Sequence, residues 1–351
     1  MLYNTKDYFK LSLINASYNQ NSRYKNPKLK LHLLTSVFKE SITQQINLFK
    51  CSQLKLEKLI KDSFTNNRYY ESRVKNVKQV LFNQEFLNEI NKRSEKEIKI
   101  CQKKNINYLF YEHESFPEPL KNIKLSPLML FYKGNLPTNE ELKKSLAVIG
   151  SRKYDTIGAE IASQAGALLS NNGFWNISGL ALGCDTYGHK GSLSAKGKTG
   201  AILANGLAAS VYPKENKSLA DKILANQGFL LSELPPSTTP APHLFKWRDR
   251  LQSGLTQGVF AVQTSKKSGT LETINYALKQ EKKVFVWNPQ NLNDLTSEKI
   301  AGNLMLTGRK EPSSNFKIKA NYKLEKIIPI TKPQNLFQHL EKNDFKQQRL
   351  F

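Results

Sequence analysis

"AVIGSRKYDTIG", residues 147–158, decides how this chain folds. The apolar run Leu146–Ile149 suits a short buried strand, and it stops at Gly150-Ser151-Arg152. Helix-forming sequence then runs from Ala159 to Ser170. In a glycine turn before a helix, free backbone N–H groups and the helix dipole both favour an anion. Arg152 adds a planar, permanently charged fork. Gly150 serves the turn itself equally well, so both readings stand.

The same pattern repeats downstream. Strands are expected at 146–149, 175–178, 199–203, 229–232, 259–263 and 283–287. Between them, helices are expected at 159–170, 186–195, 217–225, 248–255 and 271–280. Short, continuously apolar strands alternating with helices indicate a mostly parallel sheet covered on both faces, a doubly wound, Rossmann-like α/β domain. Ligands of such sheets sit beyond the carboxyl ends of the strands.

Every strand-to-helix loop emerges on that one edge, so the unusual loops should meet there. Besides Gly150-Ser151-Arg152 they are "SGLALGCDTYGHKG" (178–191), "NGLAASVYPKEN" (205–216), "HLFKWRDRLQSGL" (243–255) and "TSKKSGTLE" (264–272). The third places Lys214 and Asn216 at a helix start, and the fourth sets Lys246, Arg248 and Arg250 beside Phe245 and Trp247. The fifth carries Lys266 and Lys267 before Ser268-Gly269-Thr270. Such an edge offers amide nests at 150–152 and 268–270, cations for phosphates and aromatic faces for bases, the way single-stranded nucleic acid is held. Plainer roles exist for several of these residues. Asp185 and Asn216 suit helix caps, Phe245 and Trp247 suit a core, Cys184 is a small packing residue, and His189 has no partner base.

Bulk composition agrees with a polyanionic partner. The 351 residues hold 53 Lys+Arg against 29 Asp+Glu, a formal net charge of +24. The excess is +12 over residues 1–145, +7 over 146–290 and +5 over 291–351, so it belongs to the folded segments rather than to one tail. Cys51, Cys101 and Cys184 stand far apart, which argues against a disulfide framework or a zinc ribbon. No metal or cofactor is expected: neither a G-x-G-x-x-G nor a P-loop follows the first strand. With no apolar run of membrane-span length and no secretory leader, a cytoplasmic protein is expected.

Residues 1–105 contain no glycine and show apolar residues at helical spacing, as in Leu54, Leu56, Leu59 and Ile60, or Val74, Val77, Val80 and Leu81. A helical N-terminal domain over 1–105, a Rossmann-like core over 106–308 and a basic C-terminal extension over 309–351 are expected, with one helix near 335–341.

In their order, "INYLFYEHESFPEPLKNI", "PLMLFYKGNL", "AVIGSRKYDTIG", "ISGLALGCDTYGHKGSL", "NGLAASVYPKEN", "LLSELPP", "FKWRDRLQSGLT" and "SGTLETINYAL" resemble the motifs of the bacterial DNA-processing protein A (Smf) family, from Ile106 to Gly308. The resemblance implies a single-stranded DNA-binding protein without catalytic turnover. It further implies that the protein protects incoming DNA, assists loading of a RecA-type recombinase during natural transformation, and forms homodimers. It carries the strand pocket to Gly150, Ser151, Arg152, Lys214, Asn216, Arg248 and Arg250. Three departures stand out. Asp249 replaces the family's usual asparagine, where it either repels a phosphate or orients the flanking arginines. Trp247 replaces a commonly basic or small residue. No winged helix is recognisable after Gly308.

A second reading is enzymatic. "SGTLE" (268–272) resembles part of the motif of nucleoside-monophosphate phosphoribohydrolases, with Glu272 assisting N-glycosidic cleavage and Arg152 or Arg250 holding the phosphate. The Pro-Gly-Gly that precedes that motif is here Ser265-Lys266-Lys267, and a first-turn carboxylate is also what a helix dipole favours. A third reading, a groove that binds only protein, fits an arginine-lined edge less well than a polyanion does.

Overall fold

The computed structural model describes residues 2–17, 31–63, 77, 80–290, 297–313, 316, 318 and 323–340. Val74 and the C-terminal end from 341 lie outside them. The chain forms two compact units. One holds Met1–Lys133, Asn205–Ala209 and Ser232–His243, and the other holds Gly134–Ala204, Ser210–Leu231 and Leu244–Phe351. Residues 106–133 thus pack with the N-terminal helices.

The first unit contains helices α1 (Thr5–Ser17), α2 (Leu31–Thr43), α3 (Gln53–Ser63) and α4 (Gln84–Lys103), then an antiparallel pair, β1 (Asn107–Phe110) and β2 (Met129–Gly134). Aromatic rings form its core, with Tyr3 and Phe38 at 5.1 Å and Phe9 and Phe131 at 5.5 Å between centroids. Asn83 caps α4 by accepting the Phe86 amide at 2.9 Å. On α3 the helical stripe is narrower than its spacing predicts: Leu56, Leu59 and Ile60 are buried, whereas Leu54 is 79 % exposed.

The second unit is the repeating βα domain. Its elements are β3 (Ser145–Ile149), α5 (Thr156–Asn171), β4 (Trp175–Ser178), α6 (Cys184–Ser194), β5 (Thr199–Ile202), α7 (Lys217–Ala225) and β6 (Phe229–Ser232). They continue with α8 (Pro242–Leu255), β7 (Gly258–Ala261), α9 (Thr270–Lys279), β8 (Lys283–Trp287), α10 (Ala301–Leu306), β9 (Ile327–Ile330) and α11 (Leu336–Leu340). The seven strands are parallel, in the order β6-β5-β4-β3-β7-β8-β9. Alternate residues of β3 enter opposite cores. Leu146 and Val148 pack with α5, Phe260, Phe285 and Trp287, while Ala147 and Ile149 pack with Leu271, Ile274 and Ala277 of α9. Burial on both faces explains the continuous apolar runs, and the doubly wound reading holds.

Two elements depart from expectation. Helix α8 starts six residues before the expected 248, because Pro242 sits in the first turn, where a missing N–H is harmless. His243 to Trp247 are therefore helical rather than loop. Strand β9, "IIPI", was not expected inside a Lys/Asn-rich segment. It lies at the sheet's end, where Pro329 is tolerated.

Candidate nucleic-acid interface

Strand order sets the site. From β3 the chain winds through β4, β5 and β6 on one side, then crosses to β7, β8 and β9 on the other. The loops after β3 and β7 leave this switch point, the place where sheets of this kind form a binding crevice. Their bases are bonded together. The Ser151 amide donates to the Gln263 carbonyl at 2.7 Å, and Gln263 Nε2 donates to Asp155 Oδ1 at 2.7 Å. Asp155 Oδ1 also accepts the Gly158 amide at 2.8 Å and so caps α5.

This bonding revises the amide nests expected at 150–152 and 268–270. The Ser151 N–H already has a protein acceptor. The Ser268 amide donates to the Ser265 carbonyl at 3.1 Å and the Thr270 amide to Ser268 Oγ at 3.2 Å. These donors close the turns rather than point at a ligand. Gly150 is required sterically: a Cβ there would lie 2.5 Å from Cys184 Sγ. Gly183 carries φ +83°, and a Cβ on it would come within 2.2 Å of the Ser151 carbonyl. Gly269 meets nothing within 4 Å.

The cations sort by burial. Arg152, Lys214, Lys246 and Lys267 are exposed. The Arg152 guanidinium lies 5.1 Å from the centroid of the half-buried Phe245 ring, and Phe245 in turn contacts Tyr212 at 5.3 Å. Lys246 faces Glu272 Oε1 at 4.0 Å. Arg248 and Arg250 are only 5 % and 2 % exposed. Arg248 Nη1 donates to the Ile202 carbonyl at 2.5 Å, and its Nε is 3.4 Å from Asp249 Oδ1. Arg250 donates to the Trp247 carbonyl at 2.9 Å and lies 3.8 Å from that ring's centroid. The two arginines expected as phosphate contacts thus sit under the surface, one holding the β5 end and the other backing Trp247. Asp249 lies against Arg248, one of the arginines that flank it.

A polar floor lies beneath. Gln252, oriented by its partners, donates to Asp249 Oδ1 at 3.1 Å and accepts the Gly179 amide at 2.9 Å. Asp185, 5 % exposed, accepts the Gly179 and Ala181 amides at 3.0 and 3.4 Å. Asn216 is buried and donates to the Leu180 carbonyl at 2.9 Å and Thr186 Oγ1 at 2.8 Å, so it clamps the 179–183 loop from inside. Burial pushes the Asp249 carboxyl up to about 6, with Asp185 and Glu272 adding to the shift and Arg248 and Arg152 opposing it. Burial likewise raises the Asp185 carboxyl, against the pull of Arg248. His189 is fully buried, with Nδ1 2.7 Å from Thr199 Oγ1, and burial first, then Arg248, lowers its pKa to about 3.

At the surface, then, the fold brings Arg152, Phe245 and Tyr212 together, and it withdraws Arg248, Arg250 and Asn216. Sequence reasoning passed over Tyr212, although it stands inside a quoted loop, because no spacing rule ties it to Phe245 thirty-three positions later. Asp185 and Gln252 were missed as floor residues for the same reason. Glu272 is one-third exposed and faces Lys246, while Arg250, a phosphate holder in the hydrolase reading, is covered. Among the described residues, no three His, Cys, Asp or Glu side chains are grouped to hold a metal, and no helix is long and apolar enough to cross a membrane.

Comparison with known proteins is consistent with this architecture. A solved structure of DNA processing protein A from Streptococcus pneumoniae matches with a TM-score of 0.68 at 23 % identity, covering 98 % of this chain and 100 % of that one. A Helicobacter pylori DNA processing protein A, solved in a study of its single-stranded DNA binding mode, matches with a TM-score of 0.53 at 25 % identity over 67 % of this chain and 95 % of that one. In sequence, the DNA processing protein DprA of Bacillus subtilis is 36 % identical over 184 residues, which are 52 % of this chain and 61 % of that one. Its Streptococcus pneumoniae counterpart is 37 % identical over 172 residues, 49 % and 59 % of the two chains. The chain spans about three fifths of the length of these curated relatives. The model of the DNA recombination-mediator protein A family matches residues 107–311, the stretch that holds every loop of the crevice. The chain belongs to the DNA recombination-mediator protein A family.

Proposed function

We propose that this protein binds single-stranded DNA in the crevice at the carboxyl edge of its parallel sheet. One observation carries the reading. An exposed guanidinium, Arg152, stands against the Phe245 ring, with Tyr212 behind it, at the switch point of the sheet. A cation for the phosphate beside an aromatic face for the base is the combination that grips a flexible single strand; in a duplex the base faces are stacked away. Arg152, Lys246 and Lys214 take phosphates, and Phe245 with Tyr212 takes a base. Ser151, Gly150 and Asn216 shape the crevice, Arg248 and Arg250 act as positioning residues, and Ser268-Gly269-Thr270 forms the turn that carries Lys267. The net charge of +24 supplies long-range attraction.

Family membership supports the wider role: a cytoplasmic homodimer that protects incoming DNA and assists a RecA-type recombinase onto it, without chemical turnover of its own. The test is fluorescence anisotropy of a short strand and its duplex across a salt series. Strand-selective binding is expected. Arg152→Ala should weaken it and flatten the salt slope by roughly 0.7. Equal affinity for strand and duplex would sink the proposal. Release of free base from a nucleoside monophosphate, lost in Glu272→Ala, would establish the hydrolase instead.

A further inference from the structure

Two residues beyond Arg152 stands a second aromatic surface. The rings of Tyr154 and Tyr187 are 5.1 Å apart at 59°, and their hydroxyls meet at 3.1 Å. Tyr154 is 37 % exposed and the nearby Ile157 is 42 % exposed. From the pair a groove runs along α5 past Thr156, Ala159 and Ser163. A hydroxyl–hydroxyl bond in contact with water contributes little to folding, because water competes for both partners. Tyr187 packs in part against the core beside α5, whereas Tyr154 leaves aromatic area in solvent.

The charge around it is suited to an anion. The Lys190 ammonium lies 5.0 Å from the Tyr187 centroid, Lys153 is exposed beside Tyr154, and Lys299 Nζ donates to the Tyr154 carbonyl at 2.8 Å. Two carboxylates face the same groove, and both have partners. Asp155 accepts from Gly158 and Gln263, and Glu160 accepts from Gln164 at 3.0 Å. Two residues of extended chain span at most about 7 Å, so this surface borders the one built by Arg152.

We infer that Tyr154 and Tyr187 form a second stacking station for the same single strand, holding a base beyond the one at Phe245, with Lys153 and Lys190 on the intervening phosphates. The inference rests on the single-strand reading of the Arg152–Phe245 surface and extends the strand's path toward the α5 groove. Lys190 covers Tyr187 and the two rings already contact each other, so the base stacks on the exposed ring of Tyr154.

Anisotropy with a thymidine strand of about 12 nucleotides, inside the usual site-size range, tests it against the same strand made abasic at successive positions. Tyr154→Ala and Tyr187→Ala are expected to weaken binding of the intact strand about fivefold or more. On a strand whose abasic position empties the station they should cost nothing further, and Tyr154→Phe should bind like wild type. If both alanine variants bind the intact strand like wild type while Arg152→Ala binds weakly, the second station is overturned and the first stands. Equal losses on intact and all abasic strands would assign the pair a structural role and overturn the station as well. Failure of the wild type to bind the intact strand overturns both.

Discussion

Asp249 stands next to Arg248 and close to Asp185 and Glu272, and its carboxyl titrates near 6 rather than in the usual carboxylate range. In the folded chain it takes up a proton more readily than in the unfolded chain, so this group stabilises the fold as pH falls from 7 toward 5. His189 acts in the opposite sense. Its pKa of about 3 in the fold lies below the unfolded value, so its contribution is complete above about 6.5 and is lost on acidification. Between about pH 7 and 5 the histidine costs about 2 kcal/mol, and Asp249 offsets much of it. Asp249→Asn is therefore expected to steepen the loss of urea-unfolding stability over that range by about 1 kcal/mol relative to wild type, in which Asp249 and Asp185 both oppose the histidine. A variant profile no steeper than that of wild type would remove Asp249 from this account. Strand affinity should also rise below pH 6 in wild type but not in Asp249→Asn, because only the former loses a negative charge beneath Arg152.

At the scale of single elements, the glycine turns separate into two kinds. The β3–α5 turn is closed by Cys184 at the start of α6, which leaves no room for a side chain at 150. Gly150→Ala is expected to destabilise by about 1–3 kcal/mol through overpacking. Cys184→Ala should restore only part of it, because the Cys184 Cβ is itself 2.7 Å from the added methyl. Gly269, with φ −61° and ψ −25° before α9 and open space around it, accepts alanine, and Gly269→Ala should raise stability by about 0.4–1 kcal/mol. Thermal melts of the two variants check both signs. A melt in which Gly269→Ala lost stability, or Gly150→Ala gained it, would refute this division.

At the scale of the whole molecule, the C-terminal part belongs to the sheet. Ile330 of β9 is fully buried with Trp287, Leu336 and Leu340 in the core under α5. Ile330→Ala is expected to cost about 2–5 kcal/mol, as large-to-small changes in cores do, and a truncation before β9 should lower Tm further. Urea unfolding with unchanged midpoints in Ile330→Ala would place β9 outside the cooperative unit. The net charge acts at this scale too. Single-strand affinity should fall steeply with salt, and exposed cations should each flatten that slope while the buried Arg250 leaves it unchanged.

Local pattern alone was enough for the α/β architecture. Continuous apolar runs such as Leu146–Ile149 and Phe229–Leu231 belong to strands buried on both faces, and three strands and one helix have the very bounds their sequence predicts. The parallel arrangement then places the chemistry-bearing loops on one edge without any knowledge of contacts. What tertiary structure decided was which residues face the crevice. Whether Arg248 or Arg250 meets solvent depends on the Ile202 carbonyl and on Trp247, and whether the Ser151 amide is free depends on Gln263, more than a hundred positions away. Charge and spacing are properties of neighbours along the chain, whereas burial and hydrogen-bond satisfaction are properties of neighbours in space.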